Sequence, residues 1–144
     1  MVLADFVIQV EFEKTPRKVR VVVYDSVKGL RMAATRYDNR SRNKRKKKRG
    51  QFADTLGICH RFEQFSAAGQ LDPLCAIVRL ARPHLGVGII SHELVHAVVW
   101  MRELNEELDA LTCANDEQFA WILGEVVRQT VDLMNECGVY DDAS

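Results

Sequence analysis

The amino-acid sequence predicts an α+β fold: a small antiparallel or mixed sheet followed by two long helices, in one domain covering residues 1–144. Three observations predict it. Near the N-terminus apolar and polar residues alternate, which is the period of a strand with one buried face. Short apolar runs bounded by turn residues occupy the middle of the chain. From about residue 86 the apolar spacing lengthens to the three- and four-residue steps of amphipathic helices. A chain of 144 residues is long enough to bury a single core.

Residues 5–13, DFVIQVEFE, place Phe6, Ile8, Val10 and Phe12 on one face of a first strand. Thr15-Pro16 marks a turn, and the valine-rich KVRVVVYD at 18–25 makes the second strand of a hairpin. Residues 28–38 suit a short helix that gathers Leu30, Met32, Ala33 and Ala34. A strand is expected around Leu56–Phe62, then a turn at SAAGQLDP, then a strand at 74–81, LCAIVRLA, ended by Arg82-Pro83. A helix is expected from about Gly86–Gly88 to about Leu108, with Ile89, Glu93, His96 and Trp100 on one line. A second helix is expected from Asn115 to Glu136. Its core stripe is Phe119, Ile122, Leu123, Val126, Thr130 and Leu133 or Met134. Asn115 or Asp116 would cap its start, and Gly138 its end.

The formal net charge of +0 conceals an asymmetry. Residues 1–50 carry 15 Lys or Arg against 5 Asp or Glu, and the remainder carries 5 against 15. The positive excess peaks in RSRNKRKKKRG, residues 40–50, within a segment 39–50 read as a flexible loop. Arg42, Lys44, Arg45, Lys46, Lys47, Lys48 and Arg49 form a candidate polyanion site, for nucleic acid or an acidic protein. No aromatic residue interleaves them, which argues against base-specific reading. No apolar run is long enough for a membrane span, and MVLADFVIQVEFEK lacks the pattern of a signal peptide. Cys59, Cys75, Cys113 and Cys137 form no C-x-x-C pair and read as thiols of a reducing compartment. The expected location is cytoplasmic. The sequence sets no oligomeric state.

Residues 91–97 read S-H-E-L-V-H-A. On a helix, residues four apart share a face, so His92 and His96 point the same way. Two imidazoles at that spacing can reach one tetrahedral zinc ion. Glu93 is rotated by roughly 100° from His92, close enough to act on a metal-activated water without being a ligand. This is the H-E-x-x-H arrangement of two ligands and a general base. A catalytic zinc needs a third protein ligand. No histidine follows His96, and the other two, His60 and His84, lie upstream. Carboxylates remain: Glu117 on the next helix, 21 positions after His96, with Asp116 beside it, and Glu106, Glu107 and Asp109 as continuations of the first helix.

H-E-L-V-H-A followed by N-x-E-x-F-A at 115–120 resembles the gluzincin branch of zinc metallopeptidases, over roughly residues 85–125. The resemblance implies a zincin-like fold in which the H-E-x-x-H helix is followed by an antiparallel helix carrying the third ligand. It implies Zn2+ held by His92, His96 and Glu117, with Glu93 as catalytic base. It also implies that Ala120 and Gly124, on the face of Glu117, let the second helix approach the first closely. The chain departs from the thermolysin type in having Trp121 where an aspartate follows the glutamate ligand, and in inserting Asp116 after the asparagine.

The expected activity is hydrolysis of a peptide bond in a protein or peptide by zinc-activated water, with Glu93 as general base. His84, placed between the 74–81 strand and the active helix, is the first candidate to stabilise the oxyanion, ahead of His60, Arg61 and Tyr140. An extended substrate would add to the edge of the Cys75–Ala81 strand. Two alternatives stand beside this. One is a polyanion- or nucleic-acid-associated interaction protein with a structural or inactive zinc site. The other is a zinc hydrolase of a non-peptide amide.

Overall fold

The structure is a computed structural model that describes residues 1–12, 14–40, 52–105 and 113–141. Its order is β1 (Val2–Phe12), β2 (Thr15–Tyr24), α1 (Val27–Asn39), β3 (Gly57–Arg61), β4 (Leu74–Ala81), a 3₁₀ turn at Arg82–His84, α2 (Val87–Leu104) and α3 (Cys113–Glu136). This is an α+β fold with a four-stranded mixed sheet in the order β1-β2-β4-β3. The expected hairpin forms, with β1 and β2 antiparallel, but Thr15 and Pro16 are not its turn: they belong to β2, opposite Phe12 and Glu11. β2 runs parallel to β4, and β3 returns antiparallel on the outer side of β4. The helix expected to run to about Leu108 ends earlier, at Leu104, where Asn105 takes an extended conformation. The basic run from Ser41 to Gly50, and Glu106, Glu107 and Asp109, lie outside the described residues.

Burial follows from this order. β1 is an edge strand and keeps the alternation read from its sequence: Ala4, Ile8, Val10 and Phe12 are buried, while Asp5 on the outer face pairs with Arg20 at 2.6 Å. β4 has a neighbour on each side and a helix layer over each face. All its residues from Cys75 to Ala81 are therefore buried, as its continuous apolar run requires. α1 covers one face, packing Leu30 against Val22, Tyr24, Ile77 and Ala81. α2 and α3 cover the other, around Ile8, Val19, Val21, Val78 and Leu80. Of the four residues expected to gather on α1, Leu30 and Ala34 are buried and Met32 is exposed.

The helix ends are chemically determined. Ser26 caps α1, its Oγ accepting from the Gly29 N–H at 3.1 Å. α3 ends as expected on Gly138, whose φ of 70° is the left-handed conformation glycine adopts without strain. There the Val139 N–H reaches the Met134 carbonyl at 3.0 Å, and buried Val139 seals the end. The start of α3 differs: it begins at Cys113, so Asn115 and Asp116 lie within the helix instead of capping it.

His60 on β3 faces α1, away from α2. Its Nε2 accepts from Arg79 Nε at 3.0 Å, and its ring packs on Tyr37. Burial, then the Arg79 charge, pushes its pKa down to about 4, with Asp38 opposing weakly. The folded state therefore keeps the ring neutral, whereas an unfolded chain protonates it near pH 6.5. Stability is full above about pH 6.5 and falls as pH drops toward 4. We expect about 1–2 kcal/mol to be lost across that window. His60→Gln, which keeps an acceptor for Arg79, should flatten this slope in urea titrations at pH 7 and pH 4.5. An unchanged slope would remove His60 as its source.

Candidate metal centre

α2 begins after Gly86 and buries Ile90, Leu94, Ala97, Val98 and Met101 against the sheet. The steps between these residues fix which flank faces the edge strand. Ile89, Glu93, His96 and Trp100 lie along it, and β3 lies over them. His96 and Glu93 share a groove of about 450 Å³ with Phe52 and with Gly57, Cys59 and Arg61 of β3. His92 stands on the outer side of Glu93, its side chain 67% exposed.

The two imidazoles converge. His92 Nε2 and His96 Nε2 are 3.2 Å apart, with ring centroids at 4.8 Å and planes at 80°. Two nitrogens bound at 2.0–2.1 Å to one tetrahedral ion are separated by about 3.3 Å. The pair therefore has the spacing of two zinc ligands, and equally that of a single N–H···N hydrogen bond. It does not suit two protonated rings. The His96 pKa is lowered accordingly, by burial first and then by the charges of His92 and Arg61. Glu93 is buried, with Oε1 3.9 Å from His92 Nε2. Burial raises its pKa, and His92 partly opposes the rise.

Gly57 is what allows β3 to lie this close. A Cβ there would come within 3.1 Å of both Glu93 Cγ and Ile89 Cγ2. Gly57→Ala is therefore expected to displace the Glu93 side chain and cost about 1–3 kcal/mol of stability. An unchanged urea midpoint in the Gly57→Ala protein would show that Glu93 needs no such packing. Cys59, two residues on, points to the same groove. Burial, with a further contribution from Glu93, pushes its thiol up to about 12, so without a metal it stays protonated.

Glu117 is not brought to the histidines. α3 turns Ile122, Val126, Thr130 and Met134 inward, which leaves Glu117 exposed on the opposite side with Trp121. It lines surface grooves with Glu11 and Gln118, and with Gly124 and Arg128. Ala120 and Gly124 are exposed too, and a Cβ on Gly124 would meet nothing within 4 Å. The expected close approach of α3 to α2 through these small residues is therefore not what they do here. Among the described residues no three His, Cys, Asp or Glu side chains are grouped to hold a metal ion.

The candidates for oxyanion stabilisation separate clearly. His84 is half-buried in the 3₁₀ turn and does not line the groove of Glu93 and His96. His60 faces the opposite side of the sheet under α1. Tyr140 lies in the turn after α3. Arg61 alone lines the groove.

The substrate edge is also reassigned. β4 is paired on both sides, so its edge is closed; among the described residues β3 is the outer strand on this side of the sheet. The Phe62 N–H donates to the Cys75 carbonyl at 3.0 Å. Antiparallel alternation then turns the backbone N–H and C=O groups of Cys59 and Arg61 outward, above the histidines. Sequence reasoning missed Gly57 and the β3 edge. The signal available was a glycine at the start of a short apolar run. No protein-family model, curated protein or solved structure matches this chain.

Proposed function

We propose that this protein is a zinc-dependent hydrolase of amide bonds, a metallopeptidase of zincin-like build acting on an extended protein or peptide. One observation carries the reading: two convergent histidine nitrogens at zinc-ligand spacing, with a buried glutamate between them and an open sheet edge. His92 and His96 would hold the metal. Zinc, when bound, supplies a Lewis acid that acidifies water and polarises a carbonyl. Glu93 accepts the proton of the attacking water and returns it to the leaving amine. The outward backbone groups of Cys59 and Arg61 hold the substrate chain as an added strand. Gly57 lets β3 close over Glu93, which keeps the carboxylate out of bulk water.

Cys59, already in the wall of the groove, is the third donor this reading favours. Glu117, the third ligand the resemblance implies, is exposed on grooves that do not include the histidines, and is kept as the rival to be tested. Elemental analysis of protein purified without a metal-affinity tag tests the whole reading. Near one zinc per chain is expected; no zinc even after adding it back would end it.

The charge of the 40–50 run supports a compatible second reading, recruitment to nucleic acid or an acidic protein. Retention on DNA that weakens with salt and disappears when Lys44–Arg49 is neutralised would support it. Unchanged retention would refute it.

A further inference from the structure

The groove beside Glu93 and His96 contains one positive charge that the hydrolytic reading leaves without a partner. Arg61 ends β3, and its side chain lines the groove with those two residues. Its guanidinium lies over the Trp100 ring, 5.6 Å from the centroid, in a cation–π contact. The ring is itself held, because Trp100 Nε1 donates to the Phe62 carbonyl at 3.0 Å. A long side chain on an exposed edge is in this way kept in one plane against α2, with less freedom to lose when it meets a ligand. Among the described residues no carboxylate forms an ion pair with Arg61. Its side chain lines the groove, where its N–H donors can meet a ligand.

Position along the helix indicates what those donors would meet. Trp100 stands seven residues beyond Glu93, about 10 Å along the axis. An extended peptide advances about 3.3–3.4 Å per residue. A substrate strand lying on β3 with its reacting bond beside Glu93 therefore brings a group about three residues away to the guanidinium. A guanidinium prefers a carboxylate, which it can hold through two parallel N–H···O bonds.

We propose that Arg61, positioned by Trp100, is a specificity-determining residue that selects chains carrying a carboxylate about three residues from the reacting bond. The location of that bond rests on the hydrolase reading, but the selection is a property of binding. The carboxylate belongs either to an aspartate or glutamate side chain or to a free C-terminus.

The test uses full-length Glu93→Gln protein supplied with zinc, so that binding is measured without cleavage. The probes are N-terminally fluorescein-labelled ten-residue peptides of alanine, valine and serine. One set carries a single aspartate at each position in turn, a second set carries lysine there, and an uncharged peptide is made as C-terminal acid and as amide. Fluorescence anisotropy at low salt should show at least tenfold tighter binding of the best carboxylate peptide than of its lysine or amide counterpart. Adding Arg61→Ala should bring the ratio within twofold of one, and Arg61→Glu should invert it. Trp100→Leu should shrink the ratio, whereas Trp100→Phe keeps a ring for the guanidinium and should preserve it.

Discrimination at one internal position identifies a side chain, and acid over amide identifies a C-terminus. A ratio near one, no binding by any peptide, or a ratio that survives Arg61→Ala overturns the proposal. Turnover by wild-type protein on the same peptides separates the two inferences. Selective binding without hydrolysis keeps Arg61's role and removes the peptidase. Hydrolysis without selectivity does the reverse.

Discussion

Glu93→Gln is expected to lower amide hydrolysis by ~10²–10⁴-fold while leaving zinc content at the wild-type level. The substitution is nearly isosteric, so the close approach of the side chain to Gly57 is retained. What disappears is a carboxylate able to take a proton from water and return it to the leaving nitrogen. In this reading Glu93 is not a ligand, so the metal stays. Initial rates and metal analysis on the same preparations check both halves. Protein that keeps more than a tenth of its activity would remove Glu93 as the base. Protein that loses zinc together with activity would make Glu93 a ligand and leave the base unassigned.

Zinc is expected to fall from about one per chain to near none in His92→Ala and in His96→Ala, because a catalytic site rests on three protein ligands and losing one weakens it sharply. The third ligand is decided by comparing Glu117→Ala with Cys59→Ala. If Glu117 is the ligand, its alanine variant should lose zinc affinity by more than the roughly 10–100-fold typical of an outer-shell partner, and Cys59→Ala should bind normally. The reverse result would place the donor on β3, opposite His96, and make Glu117 an ordinary exposed residue of the α3 surface beside Trp121. Competition titrations against a chromophoric chelator measure both. Folding is checked independently by circular dichroism, since each substitution removes a side chain from a different element.

The two possible donors show how unevenly the site could be read from the sequence. His92, Glu93 and His96 lie within five residues of one helix, so their mutual geometry follows from helical rise and rotation. The convergence of the two Nε2 atoms is a local consequence of the i, i+4 step. The third donor is separated from them by a reversal of the chain. Its position depends on which face α3 turns inward, and that face is set by packing of Ile122, Val126 and Met134 on the sheet and on α2. The motif H-E-L-V-H-A carries no information about that packing. His60 is a similar case. Its alternation with Ile58 and Phe62 was visible, but its pairing with Arg79 depends on β4 lying beside it and α1 above it.

By itself the sequence determined the α+β class, the hairpin, the span of β4, the start of α2, the glycine cap of α3 and the paired histidines with their glutamate. Each depends on a local period, a turn residue or a cap, where the energy is decided by neighbours a few residues away. Tertiary structure alone decided the strand order, which closes both edges of β4 and, among the described residues, makes β3 the outer strand. It also decided that Gly57 meets Glu93, that Arg61 rests on Trp100, and that Glu117 faces outward. These depend on pairings between distant segments, where the burial of whole faces outweighs any local preference.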